Sequence, residues 1–378
     1  MNASLSEKLS AVKWGEFRLG DLFTKRTIKG VPKNKENLTP NRNGFHMFGQ
    51  NIKYQYPQRI LLDKKYLQSV DYQHPILGYT SSVGEIGIIK EPFYRSGDNG
   101  AFQGLFSKEH QFTLKELYFV LPILQKEFDK FGYDTSMANT INLQFSLPIT
   151  SPGKIDFDFM ESFIAVLEAE RVAELSAYLA VSGLDNYELT EKEIATIEKI
   201  KNKEVHFKEF EFIEIFNNIK QGRRLKKEDQ LTGNVPFVMS GTTNSGIVGY
   251  ISNPVAFFRK NSITIDIFGN CFYRNYDFGA GDDTGVYWST DHTYSKATML
   301  FFTTAMERSL HGKYSYGKKL RSSQSLHFKM QIPAKDGKPD YTTMETLISA
   351  VQKLVIKEVV LYANQKIETT KAVTKRYW

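Results

Sequence analysis

A chain of 378 residues, 41% hydrophobic and 13% aromatic, can bury more than one core. Its net charge of +7 favours a polyanionic partner, its single cysteine excludes internal disulfides, and seven scattered histidines offer no zinc-ligand spacing. No apolar run nears the ~18 residues of a membrane span, and the opening MNASLSEKLSAVKW lacks a signal-peptide core, so a cytoplasmic location is expected.

The first element is the aromatic strand WGEFRLGDLF (14–23), followed at once by the cations Lys25, Arg26, Lys29, Lys33 and Lys35. To about residue 150, short apolar or aromatic runs such as HPILGYTSSVGEIGIIKEPFYR alternate with Gly, Asn, Asp and Pro, which predicts a β-rich domain. One amphipathic stretch, TLKELYFVLPILQKEFDKF, interrupts it, and Pro122 should kink or divide that helix. From Asp156 the pattern changes. Met160, Phe163, Ile164, Leu167, Val172, Leu175 and Leu179 recur at helical spacing, predicting a helix of ~25 residues, about 38 Å long. After SGLDNYELT, a shorter helix, EKEIATIEKIKNK, leads onward.

The chain then repeats itself. FKEFEFIEIF (207–216) echoes the opening strand, and Lys220, Arg223, Arg224, Lys226 and Lys227 follow it as the first basic cluster followed its own. FYRSGDNGAF (93–102) corresponds to FYRNYDFGAGDDTGVY (272–287), and the first amphipathic stretch to TYSKATMLFFTTAMERSL. LPITSPGKID is matched by IPAKDGKPD, and DFDFMESFI (156–164) by DYTTMETLI (340–348). The last helix carries Met344, Leu347, Ile348, Val351, Leu354 and Val355. Asp156 and Asp340 suit helix N-caps, and Glu161 and Glu345 fall where the helix dipole favours acids. The unit is roughly 185 residues, far longer than the ~20 to 50 of solenoid repeats.

Basic clusters at the same place in two copies, with the basic and aromatic run LHGKYSYGKKLRSSQSLHF in the second, suit a duplex-binding surface. Candidate DNA contacts are Lys25, Arg26, Lys29, Lys33, Gln50, Asn51, Lys220, Arg223, Arg224, Asn244, Tyr316, Lys318, Lys319 and Arg321. Two long helices of this length are better explained as a paired strut than as cover for their own domains. Catalysis has little support. SNPVAFF (252–258) lacks the second Pro of an amino-methyltransferase motif, there is no phosphate loop, and Asp98, Asp282 and Asp283 each sit in a Gly-Asp turn that suits structure better than Mg²⁺. A stand-alone Mg-dependent nuclease or DNA-modifying enzyme is the alternative.

Two β-rich domains, each followed by a helix entered through GK-x-D-[FY]-x-x-M-E-[ST]-x-I, resemble the DNA-specificity subunits of type I restriction-modification systems. GNVPFVMSGTTNSGIVGYI (233–251) is similar to that family's motif near the start of a recognition domain, where the first copy has GFHMFGQNIKYQYP; YLAVSGLDNYELTEKE resembles the spacer of BcgI-like type IIB subunits. The resemblance implies an α+β fold of two tandem target recognition domains (1–155 and 206–339), each followed by a helical spacer (156–205 and 340–378), the helices packing as an antiparallel coiled coil with pseudo-twofold symmetry. It implies a non-catalytic subunit that reads one half of a gapped, asymmetric double-stranded DNA site with each domain. Its helices, through Met160, Phe163, Leu167, Leu175, Met344, Leu347, Val351 and Leu354, would dock methyltransferase or fused nuclease-methylase subunits. No metal or cofactor is expected in the chain itself; S-adenosylmethionine, Mg²⁺ and ATP would belong to those partners.

Overall fold

A computed structural model describes residues 3–374, apart from 50–51, 53–55, 57, 82–83, 98–99, 132–136 and 152. The chain divides into two compact units, residues 1–175 with 366–378, and residues 176–365.

The first unit opens with the helix α1 (Ala3–Ala11) and the strand β1 (Lys13–Arg18), which pairs antiparallel with the closing strand β8 (Gln144–Ile149) from Lys13↔Ile149 to Arg18↔Gln144. A single turn, α2 (Leu19–Leu22), then drops Leu19 and Phe23 into the core. Next come β2 (Phe23–Thr27), β3 (His46–Phe48), β4 (Ile76–Thr80), β5 (Ile86–Ile89), β6 (Phe93–Arg95) and β7 (Phe102–Ser107). They form an antiparallel sheet ordered β2-β7-β4-β5 and a parallel pair, β3-β6. The helix α3 (Leu114–Phe128) covers this core with Leu117, Val120, Leu124 and Phe128. Of the two outcomes expected at Pro122, division does not occur: the helix runs through it, and buried side chains on both flanks hold the turn that the missing N–H weakens. The long helix α4 (Phe157–Val181) follows.

The second unit contains α5 (Glu191–Lys201), β9 (Phe207–Glu211) and the single turn α6 (Phe212–Ile215), which buries Phe212 and leads into buried Phe216. Its strands are β10 (Asn218–Gln221), β11 (Thr232–Val238), β12 (Ile247–Ile251), β13 (Phe257–Phe258), β14 (Ser262–Asp266), β15 (Cys271–Arg274), β16 (Phe278–Ala280) and β17 (Thr284–Trp288). The order β10-β17-β14-β15 repeats that of the first unit, and the parallel pair β11-β16 repeats β3-β6. The helix α7 (Lys296–Leu310) takes the place of α3; β18 (Lys329–Lys335) closes on β9 as β8 closes on β1, and pairs with the short β19 (Lys338–Pro339) before α8 (Tyr341–Thr374) begins.

Strand topology corrects one of the sequence matches. Phe93–Arg95 is β6, whose counterpart is β16 (Phe278–Ala280), not β15, which carries the second Phe-Tyr-Arg. A three-residue likeness cannot outweigh the hydrogen-bonding partners of a strand.

The start of each long helix is a joint. Asp156 Oδ1 accepts the Phe159 N–H at 2.9 Å and Asp340 Oδ1 the Thr343 N–H at 3.1 Å, the expected N-caps. Met160 and Met344 are fully buried in the cores of their own units. Thr113, the N-cap of α3, donates its hydroxyl to Glu161 at 2.8 Å, and Ser295, the N-cap of α7, donates to Glu345. These acids thus tie two helix starts together, a larger role than the dipole effect expected of them.

Candidate nucleic-acid interface

In the second unit β10 ends at Gln221 and the chain turns over β16. Gly222 makes this possible, since a Cβ there would lie 2.2 Å from the Gly281 carbonyl oxygen and 2.6 Å from that of Ala280. Gly222 N–H donates to Thr284 O and Arg223 N–H to Ala280 O, at 2.8 and 2.9 Å. The side chains of Arg223 and Arg224 are thereby left exposed at the rim of a groove of about 1420 Å³. Gln221 braces the rim, donating to Asp282 O at 3.0 Å and accepting the Ser322 N–H at 2.9 Å, while Arg321 donates to Asp282 O at 2.6 Å.

The groove is strongly basic. Lys220, Arg223, Arg224, Arg259, Lys260 and Arg321 line it against Asp282, with Phe257, Phe258 and Trp288 among them. Lys220 Nζ lies 5.8 Å from the Trp288 ring centre, and Arg259 lies over Phe257 at 5.3 Å. Arg259 also pairs with Asp277 at 2.8 Å; the Lys260 N–H and this guanidinium hold the Asp277 carboxyl below its usual range. Cations with exposed aromatic faces can neutralise phosphates and stack on or abut bases.

The first unit anchors its basic loop in the same way. A Cβ at Gly30 would lie 2.1 Å from Arg95 O, and Val31 exchanges hydrogen bonds with Arg95 O and the Gly97 N–H. Lys29 and Lys33 are exposed on that loop, Lys25 is half-buried on β2, and Arg26 is exposed with its guanidinium 4.8 Å from the Phe106 ring centre. Gln50 and Asn51 lie outside the described residues.

The structure gathers four expected contacts, Lys220, Arg223, Arg224 and Arg321, into one groove. Tyr316, Lys318 and Lys319 do not line it; they sit on an exposed loop, Lys319 Nζ 4.7 Å from the Tyr316 ring centre and Lys318 Nζ 5.8 Å from that of Tyr314. Asn244 is in the β11–β12 turn. Arg259, Lys260 and Trp288 were missed. The signal was available in FFRKN (257–261), an aromatic pair followed by two cations, but it reads locally as the approach to a strand.

The expected docking residues divide. Met160, Phe163 and Met344 are buried in their own units and Leu167 packs against the first core, so those side chains are spent on the joints. Leu175 and Leu347 are half-buried, whereas Val351 and Leu354 are exposed on α8. Asp283 accepts both the N–H and the hydroxyl of Ser240, at 3.0 and 2.7 Å, so its carboxylate serves a turn. Asp98 lies outside the described residues, and among those described no cluster of three His, Cys, Asp or Glu side chains could hold a metal ion. No helix among them is long and apolar enough to cross a membrane.

A duplicated α+β scaffold that seats a basic loop against backbone carbonyls through a glycine in each copy suits a nucleic-acid-reading class of protein. Residues 11–177 and 204–361 match the model for the type I restriction modification DNA specificity domain, and the chain belongs to that family. It is therefore a DNA-sequence-recognising specificity subunit, a class without catalytic activity or a catalytic cofactor of its own. The specificity subunit S.BcgI of a type II restriction enzyme from Heyndrickxia coagulans is 22% identical over 363 residues, 91% of this chain and 96% of that one. In fold the chain is similar to the S subunit of a type I restriction-modification system from M. genitalium, with a TM-score of 0.58 at 14% identity, covering 97% of this chain and 95% of that chain.

Proposed function

We propose that each of the two recognition domains, 1–155 and 206–339, reads one half of a gapped, asymmetric duplex site, and that the helical segments 156–205 and 340–378 pair as an antiparallel spacer and carry the partner subunits. The observation that carries this reading is the repeated construction at Gly30 and Gly222, which leaves a basic loop exposed at the same place in both copies. Because the copies have diverged, the half-sites can differ, whereas a homodimer would impose a palindrome. The exposed basic side chains named above, Arg223 and Arg224 among them, supply phosphate contacts, and polar side chains beside the groove supply base contacts.

The partners are methyltransferase or fused nuclease-methylase subunits in the cytoplasm, and S-adenosylmethionine, Mg²⁺ and ATP belong to them. Val351, Leu354, Val355, Val359 and Tyr362 support docking on α8: they fall on one helical face, and all are exposed. Exchanging one recognition domain for that of a related subunit and mapping methylated sites by single-molecule sequencing tests the reading. One half-site should change while the other stays. A change in both halves, or in neither, would overturn the assignment of one half-site to each domain.

A further inference from the structure

The turn between β11 and β12 is held in a backbone conformation its own residues do not favour. Asn244 and Ser245 have φ of 48° and 52°, flanked by Gly241 at 133° and Gly246 at 80°. Consecutive non-glycine residues in the left-handed region persist only where their surroundings over-determine them. Three charged side chains do so here. Asp266, 4% exposed, accepts the Gly241 N–H at 3.0 Å while also taking the N–H groups of Phe268 and Asn270. Asp283 takes both donors of Ser240. Arg274, 1% exposed, donates to Ser245 O at 2.7 Å, its other nitrogens being engaged by Thr264 and Tyr276.

The side chains on the turn are treated in the opposite way. Thr242, Thr243, Asn244 and Ser245 are all exposed, and among the described residues none of the four side chains makes a hydrogen bond. A fixed backbone carrying uncommitted polar side chains is preorganised for recognition, because little ordering entropy is lost when the contact forms. The turn also stands beside the basic groove: Met239 and Val248 at its base line a cleft of about 590 Å³ that shares Arg224 and Asp282 with that groove.

We propose that residues 240–246 form a preset base-reading tip in which Asn244 presents its amide to an adenine in the major groove, with Asp266, Asp283 and Arg274 as positioning residues. The adenine assignment follows from chemistry: of the four exposed side chains, only Asn carries its donor and acceptor on separate atoms, as simultaneous bonds to adenine N7 and N6 require. The proposal rests on the DNA-reading assignment above and adds a residue and a base to it.

The test uses the complete complex on its mapped duplex, with each adenine in turn replaced by 7-deazaadenine, which lacks the N7 acceptor and still pairs with thymine. One replacement in one half-site should weaken wild-type binding about tenfold or more. Asn244→Gly should erase that sensitivity while keeping affinity for unrelated duplexes and the salt dependence; glycine accepts a φ of 48° without strain, so the loss reports the amide and not collapse of the turn. Asp283→Ala should erase it too, whereas Asp283→Asn, which keeps an acceptor for Ser240, should retain it. A wild-type complex indifferent to every replacement, or an Asn244→Gly variant with the wild-type profile, overturns the proposal and leaves the DNA-reading assignment standing. A complex with no sequence preference on any duplex removes both.

Discussion

Neutralising Arg223 and Arg224 together tests the groove most directly. Both side chains are exposed at its rim, and among the described residues no acid pairs with either, so each is placed to meet a phosphate. Each phosphate contact contributes about −0.9 to the slope of log K against log salt, so Arg223→Gln with Arg224→Gln should make the slope shallower by about 1.8. Over a fourfold rise in salt, from ~50 to ~200 mM, the ratio of wild-type to variant affinity should fall about 12-fold, to a similar extent for cognate and unrelated duplexes. Fluorescence anisotropy of the complete complex at several salt concentrations measures it, with Lys335→Gln on β18, outside the groove lining, as the control. A variant slope equal to that of the wild type would show that the two guanidinium groups are merely solvated.

Three further outcomes are expected. Met344→Ala removes a fully buried side chain and should cost about 2–5 kcal/mol in urea denaturation, while Leu354→Ala, half exposed on α8, should spare stability and lower co-purification with the methyltransferase. Burial opposes the charge of Glu193, but donors on Ser349, Thr190 and Lys353 outweigh it and hold its carboxyl to about 2, against an ordinary 4.5. Its contribution is therefore complete above pH 4.5 and lost as pH falls towards 2; screening around this α5–α8 contact limits it to about 1–2 kcal/mol, and Glu193→Gln should flatten stability over that window. Gly222→Ala should destabilise the second unit in thermal melts, because its Cβ meets two backbone carbonyls that cannot swing aside.

What was legible in the sequence is what depends on neighbouring residues. The N-caps at Asp156 and Asp340 and the long helices behind them are set by side chains a few positions apart, so periodicity and capping chemistry located them. The groove is different in kind. Its walls come from 220–224, 255–262, 282, 288–290, 292–293 and 321, brought together by the orders β10-β17-β14-β15 and β12-β11-β16-β13, and strand order cannot be read from local pattern. The basic clusters were legible because they occur twice; Arg259 and Lys260 follow two aromatics once, and gave no echo to compare. That Asp283 suits a turn better than a metal was legible from the preceding Gly-Asp, but what it holds was not. Its partner Ser240 is 43 residues away, on the turn it fixes.

The strongest echo in the chain therefore marks a joint. Asp156 and Asp340 cap a helix, Met160 and Met344 fill a core, and Glu161 and Glu345 take the N-cap hydroxyl of the preceding helix, so one nine-residue phrase performs three tasks that each require its residue. Surface loops such as 223–227 and 240–246 carry no comparable set of obligations on their exposed side chains, and can change without loosening the domain from its helix. A specificity subunit needs this separation, because a new target sequence must be acquired without disturbing the surface that holds its partners. Domain exchange should accordingly be cut just before Asp156 and Asp340, where each cap arrives with its helix and the incoming domain has to supply the core pocket for Met160 or Met344 and the hydroxyl at Thr113 or Ser295.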